Sequence, residues 1–265
     1  MDKIITLDRV YGPQANISKE DAMGFAMRLP AFGAWVTKLA STYGANLTSI
    51  TILDVYPFGP AKTATRGFVT ANVAATKAGK PVSGFAFIRG GAVAVLVILV
   101  DEAGQEYVVT TLQPRVPGGE LDYEEIPAGM LDGVGKFASV AVKELNEELE
   151  LSITADKLVK LSDMYPSIGG SDEMITMYVF KGLMAADKIA EFKGKHTGEP
   201  SENEQIITKL RTYSEFKAAC LSGIITDAKA QLALGLYELK KHEIPMVGGG
   251  KRNRKSKKNR KNRKN

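Results

Sequence analysis

Residues 92–100 read Ala-Val-Ala-Val-Leu-Val-Ile-Leu-Val, nine apolar side chains without a break. A membrane-spanning helix needs about 20 such residues, roughly twice this length, so the run is a buried strand. It stands among closely spaced strands, with Phe85–Arg89 before it and Glu106–Gln113 after it. Asp101–Gln105 makes a hairpin-type link between the last two. Alternation and β-branched content predict earlier strands at Leu47–Val55 and Gly67–Ala75, with a turn at Lys80-Pro81. Later strands are expected near Leu158–Tyr165, Met174–Gly182 and Glu204–Arg211. Helical patterns cover Ile17–Thr42 with a break at Pro30, the segment ending at Leu149, Ser214–Leu221 and Asp227–His242. Thr226 is the expected cap of the last helix. This order implies an α/β sandwich with a mixed sheet, preceded by an N-terminal β-rich region.

The chain has 265 residues, 44% of them apolar, enough to bury a sizeable core in one domain with an extension. Its single cysteine, Cys220, excludes an internal disulfide and reads as a core thiol in a reducing compartment. Met1–Val10 is short, mixed and charged, unlike a signal peptide. The location implied is intracellular, cytoplasmic or nuclear, with no membrane contact. The net charge of +5 conceals two unlike parts. Of the 35 basic residues ten lie in 251–265, which holds no acid, leaving 25 against 30 acids in the body. The tail follows Gly248-Gly249-Gly250 and cannot bury apolar surface, so it is expected to be disordered. It suits contact with RNA or an import receptor, or serves only for solubility.

Glu144, Glu147 and Glu148 are spaced i, i+3 and i+4 on a predicted helix, so they share one stripe. Like charges at that spacing oppose the helix by roughly 0.2–0.5 kcal/mol per pair, and the helix C-terminal end disfavours anions. The opposite stripe, Ala138, Val142, Leu145 and Leu149, is apolar and docks on a core. A solvated acidic face is the ordinary reading of such a run. Just upstream, however, Glu125-Ile126-Pro127-Ala128-Gly129-Met130-Leu131-Asp132-Gly133 is a strand end breaking into a Gly/Pro turn. Strand, tight loop and acidic helix together suit a hard divalent cation, which takes oxygen ligands from a few carboxylates.

Gly129, then Lys143-Glu144-Leu145 and Glu147-Glu148, resembles the Nudix box, in which Gly is followed at fixed spacing by Arg-Glu-apolar-x-Glu-Glu. The three glutamates of that signature are present. Gly135, Lys143 and Glu150 replace its first Glu, its Arg and its closing Gly. Three segments resemble one branch of the family, the plant-type ADP-sugar diphosphatases (ADP-ribose/ADP-glucose pyrophosphatases). They are Thr111–Gly119, Glu125–Asp132 and Tyr165–Glu173, with Pro166 at the position of the proline that marks ADP-ribose-type members. The similarity runs from about residue 17 to about residue 243.

This resemblance implies a Nudix α/β/α sandwich. It divides the chain into an N-terminal helix and β-rich region at 1–84, a Nudix domain at 85–245 and a polybasic tail at 246–265. It implies hydrolysis of nucleoside diphosphate sugars to a nucleoside monophosphate and a sugar phosphate, with Mg²⁺ as cofactor and Mn²⁺ as a substitute. The metal ligands carried over are Glu144, Glu147, Glu148 and the Ala128 carbonyl. Lys143 stands where the family's Arg braces the glutamates, and does so as a point charge without the planar fork. Glu173, on a glycine-rich loop expected to be mobile, matches the catalytic acid, with Asp172 as its competitor. Glu147 shares the catalytic role. Arg115 is the candidate for gripping the diphosphate or terminal sugar, and Glu125 for orienting the substrate or a metal-bound water. A homodimer through the N-terminal region is implied. Two other functions fit the residues: a Nudix enzyme acting on RNA caps or ends, and a weakened Nudix fold that binds nucleotides or RNA.

Overall fold

The computed structural model describes residues 5–7, 17–131, 137–149, 153–198 and 205–248. The side chains of Ser83 and Glu148 lie outside the described part, as do Gly135, Glu150 and residues 249–265 of the tail.

The N-terminal part pairs one sheet with two helices. A short strand β1 (Ile5–Leu7) precedes helix α1 (Lys19–Arg28), whose first turn is capped by Ser18, with Oγ accepting from the Asp21 amide at 3.0 Å. Leu29 is extended, as the residue before proline must be, and Pro30 opens α2 (Pro30–Tyr43). Strands β2 (Leu47–Pro57), β3 (Gly67–Lys77) and β4 (Lys80–Ile88) form an antiparallel meander, with β1 parallel to β2. Phe25, Phe32 and Val36 of the helices pack on Ile50, Ile52, Val69 and Ile88 of the sheet. The turn expected at Lys80-Pro81 lies one step earlier. Ala78 and Gly79 take positive φ (52° and 74°), and Lys77 pairs with Lys80. Pro81 is tolerated inside a strand because β4 is an edge of its sheet.

The second sheet is built around β5 (Ala92–Val100), every residue of which is buried. Antiparallel β6 (Glu106–Arg115) follows, then β7 (Glu120–Glu125) paired to β6 and β8 (Ala128–Met130) paired to β5. Helix α3 (Phe137–Leu149) leads to β9 (Val159–Met164) and β10 (Ile175–Leu183), the latter parallel to β5. A short α4 (Ala186–Ala190), β11 (His196–Thr197), β12 (Ile206–Thr212), α5 (Tyr213–Leu221) and α6 (Ala228–Lys240) complete the chain. The sheet order is β11-β12-β6-β5-β10-β9. Alternate residues of β5 serve opposite layers. Leu96 and Ile98 pack with Phe216, Ala230 and Tyr237 of α5 and α6, whereas Val93, Val95, Val97 and Leu99 pack with Ala141, Leu145 and Leu149 of α3. The mixed sheet is therefore sandwiched between helices, and the apolar stripe of α3 runs through Ala141 rather than Val142.

Four local expectations change. The position between residues 84 and 85 falls inside β4, and the apolar cluster of the N-terminal sheet ends at Ile88 whereas the two clusters flanking the second sheet begin at Ala92 and Val93. Val247 pairs with β10 through hydrogen bonds to Lys181 and Leu183, so the chain stays attached to the sheet beyond residue 246. Strand β7, of sequence Glu-Leu-Asp-Tyr-Glu-Glu, has little apolar alternation and carries no sequence signal of a separate strand. Asp227, not Thr226, caps α6: its carboxylate accepts from the amides of Lys229 (3.1 Å) and Ala230 (3.3 Å). Cys220 is buried, and burial together with the nearby carboxylates of Asp227 and Glu124 pushes its thiol up to about 11, so it is not a thiolate nucleophile at neutral pH. Among the described residues no helix is long and apolar enough to cross a membrane.

Candidate active site

A cleft of ≈ 1060 Å³ opens where the ends of β6, β7 and β8, helix α3, the 165–173 loop and the first turn of α6 meet. It collects Arg115, Glu125, Ala128, Glu144, Glu147 and Glu173, together with Pro166. These residues span nearly sixty positions of sequence and come from four secondary-structure elements (β6, β7, β8 and α3) and one loop.

Gly129 shows why the box needs a glycine here. A Cβ built at that position would lie 1.8 Å from the Glu144 carboxyl carbon and 2.0 Å from its Oε1. The Glu144 carboxylate is therefore seated directly against the Ala128–Gly129 backbone, held there by an α3 whose far side is locked into the core. One turn on, Glu147 is braced by Lys143, Nζ to Oε2 at 3.3 Å. Lys143 stands where the resemblance expects an arginine, and its contact is that of a point charge. Glu148 shares the helix, but its side chain lies outside the described part. Among the described residues no three His, Cys, Asp or Glu side chains cluster as a metal site. What the described part supplies is the carboxylates of Glu144 and Glu147 lining the cleft beside Ala128 and Gly129, oxygen donors of the type a hard divalent cation takes.

Glu125 is buried, with 2% of its surface exposed, and it is fully committed. Arg115 donates from Nε to its Oε1 at 2.8 Å, with Nη2 at 2.6 Å from the same oxygen. Lys229 donates to its Oε2 at 3.0 Å and to Asp227 at 2.7 Å. Asp227 also accepts from the Ile126 amide at 3.2 Å, which ties α6 to the turn carrying Ala128. Burial opposes the charge on Lys229, but Asp227 and Glu125 outweigh it and hold its ammonium above the ordinary lysine range. Glu125 thus positions Arg115, whose own side chain remains 43% exposed toward the cleft.

The loop expected to be mobile is docked on the N-terminal sheet. The Phe87 amide donates to the Gly170 carbonyl at 2.8 Å, and the Asp172 carboxylate accepts from the amides of Arg89 (2.8 Å) and Gly90 (3.1 Å). Burial pushes the Asp172 carboxyl above its usual range despite these amides. Asp172 is consumed in anchoring the loop, and Glu173 is the acid that faces the cleft, 3.5 Å from Nε of Arg89.

Sequence reasoning missed Phe58, Arg66, Arg89, Tyr123 and Lys229, all of which line the cleft. One signal was available. Arg89-Gly90-Gly91 places an arginine at a strand end before a glycine turn, as Arg115 stands at the end of its strand ahead of Gly118-Gly119. His196 and His242 are not among the lining residues.

No protein-family model matches the chain. It is 33% identical over 247 residues to Nudix hydrolase 14, chloroplastic, of Arabidopsis thaliana, covering 86% of this chain and 76% of that protein. It is 28% identical over 148 residues to the ADP-ribose pyrophosphatase of Bacillus subtilis (strain 168), covering 56% of this chain and 73% of that one. A solved structure described as an ADP compounds hydrolase overlaps 73% of this chain and 95% of its own, at 16% identity and a TM-score of 0.49. With a relative of that identity and coverage, the chain belongs to the Nudix hydrolase family, and it is a hydrolase. The name of the Arabidopsis protein places that relative in the chloroplast, which does not bear out a cytoplasmic or nuclear location for this chain.

Proposed function

We propose that the cleft hydrolyses the diphosphate bond of nucleoside diphosphate sugars of the ADP-ribose and ADP-glucose type, giving AMP and a sugar phosphate. The observation that carries this reading is the convergence of Arg115, Glu125, Ala128, Glu144, Glu147 and Glu173 on one ≈ 1060 Å³ cleft. The relatives' names, a Nudix hydrolase and an ADP-ribose pyrophosphatase, agree with it.

The obstacle to the reaction is attack by water on a polyanion. Arg115, held in place by Glu125, presents its fork to the diphosphate and fixes its orientation. Glu144, Glu147, Glu148 and the Ala128 carbonyl would hold Mg²⁺, with Mn²⁺ as a substitute. The cation, when bound, neutralises phosphate charge and makes water more acidic. Glu173 takes a proton from the attacking water or orients it, and Glu147 assists from α3. We further propose a homodimer through the N-terminal region, whose sheet exposes Phe85 on the face opposite the one that Ala86 and Ile88 pack against the helices. A monomer by light scattering would remove that part.

The decisive experiment is a Mg²⁺-dependent hydrolysis panel of ADP-ribose, ADP-glucose, UDP-glucose, NADH, diadenosine polyphosphate and capped RNA, with Glu148→Gln alongside. AMP released from the ADP-sugars and lost in the variant is the expected result. Activity confined to capped RNA, or unchanged in the variant, defeats the reading. Binding without turnover of any compound would instead favour a ligand-binding Nudix fold.

A further inference from the structure

The cations of the cleft differ in how firmly carboxylates hold them. Arg115 and Lys229 are locked to Glu125 and Asp227 at 2.6–3.0 Å. Lys143 stands 3.3 Å from Glu147. Arg89 is further from its acid than any of these, with Nε 3.5 Å from Glu173, beyond the roughly 2.7–2.9 Å of a charge-assisted hydrogen bond. That Nε is buried and has no hydrogen-bond partner among the described residues. The guanidinium lies over the Phe68 ring, 5.7 Å from its centroid, and Phe68 is wedged edge-on between Phe58 and Phe87 at 5.0 Å from each. The main chain at Arg89 is pinned by Asp172 on one side and by strand β4 on the other. A rigid root, an apolar seat and a loosely held charged head describe an arginine able to change partners.

We propose that Arg89 is a second phosphate-binding arginine of the cleft, and that a substrate phosphate draws its guanidinium away from Glu173. This rests on reading the cleft as a diphosphate site. The planar fork that Glu173 engages poorly matches a phosphate's oxygens, and the buried Nε–H gains the acceptor it lacks. The exchange also couples binding to chemistry, because Glu173 gives up its cation only when a diphosphate has arrived to replace it. No bond is made or broken in this step. It is a swap of one anion for another on the same guanidinium.

The test uses the full chain and ADP as the probe, titrated by calorimetry, with steady-state kinetics on whichever ADP-sugar the wild type hydrolyses. Arg89→Met keeps a side chain over Phe68 and removes the charge. It should weaken ADP binding and raise KM by about tenfold or more, with kcat changed by less than about threefold. Arg89→Lys, a point charge in place of the fork, should fall between. In a Glu173→Gln chain, ADP should bind more tightly than in wild type, and Arg89→Met should still weaken it there. Unchanged ADP affinity in Arg89→Met overturns the proposal. So does a fall in kcat at constant KM, or an affinity loss that disappears in the Glu173→Gln background, since either shows Arg89 acting only through Glu173. If ADP binding depends on Arg89 but no ADP-sugar is hydrolysed, the arginine's role stands and the proposed activity falls.

Discussion

Strand β7 ends in two adjacent glutamates on opposite faces of the sheet, each buried and each shared by an arginine and a lysine. Glu124 accepts from Arg211 Nε (2.7 Å) and Nη2 (2.8 Å), from Lys209 (2.8 Å) and from Thr110 (3.0 Å). Glu125 accepts from Arg115 and Lys229. By composition the two clusters are interchangeable. They differ in what surrounds them. The partners of Glu124 come from β6 and β12 and none of them lines the cleft, whereas both cations on Glu125 do. Buried ion pairs alone therefore mark no function here; the cavity beside one of them does. Glu124 joins strands, and Glu125 aims a guanidinium.

The largest effect that would sharpen this contrast comes from Gly129→Ala, which leaves both clusters intact. The added Cβ meets the Glu144 carboxyl at 1.8 Å, so that carboxylate must move by more than an ångström. Misplacement on that scale costs about 10²-fold in kcat, and the thermal midpoint should shift little because the side chain can swing into the cleft. Turnover within a factor of about two of wild type would show that Glu144 is not held for chemistry. Next in size is the pair of substitutions that separates the two faces. Glu125→Gln loosens Arg115 and should lower kcat/KM by about tenfold or more, mostly through KM, whereas Glu124→Gln should leave kcat/KM within about twofold. Equal losses in the two variants would abolish the distinction between them.

How far this contrast could be read from sequence differs between its halves. The strand–loop–helix motif around Gly129, Glu144 and Glu147 is local, so helical spacing groups the glutamates and the resemblance adds the glycine. Strand β5 is local as well, its unbroken apolar run matching burial on both faces. Arg115 and Glu125 stand ten residues apart and were each singled out, yet their ion pair depends on the register of β6 against β7, and β7 itself was hidden by its acidic, weakly alternating sequence. Lys229 and Arg89 reach the cleft only through tertiary packing, by the docking of α6 on the Ile126 turn and of the 165–173 loop on β4. No local pattern encodes either contact. Thr226 and Asp227 are both residue types that suit a helix cap, and only the turn geometry assigns the position to Asp227.

The smallest expected effect tests the Glu124 side by pH. Burial alone would raise its carboxyl, but the hydrogen bonds and charges of Arg211 and Lys209 prevail and hold it below the ordinary 4.5. A group whose folded-state value is depressed stabilises the fold above its unfolded value and loses that contribution as pH falls through the folded one. Glu124→Gln should therefore be less stable than wild type by about 2 kcal/mol at pH 7, in denaturant unfolding followed by circular dichroism. The gap should stay constant down to about pH 5 and then close below 4.5, as protonation makes the wild-type side chain as neutral as glutamine. A gap that widens in acid would mean that the cluster is held by something other than the charge on Glu124, and the likeness between the two faces of β7 would then be one of composition only.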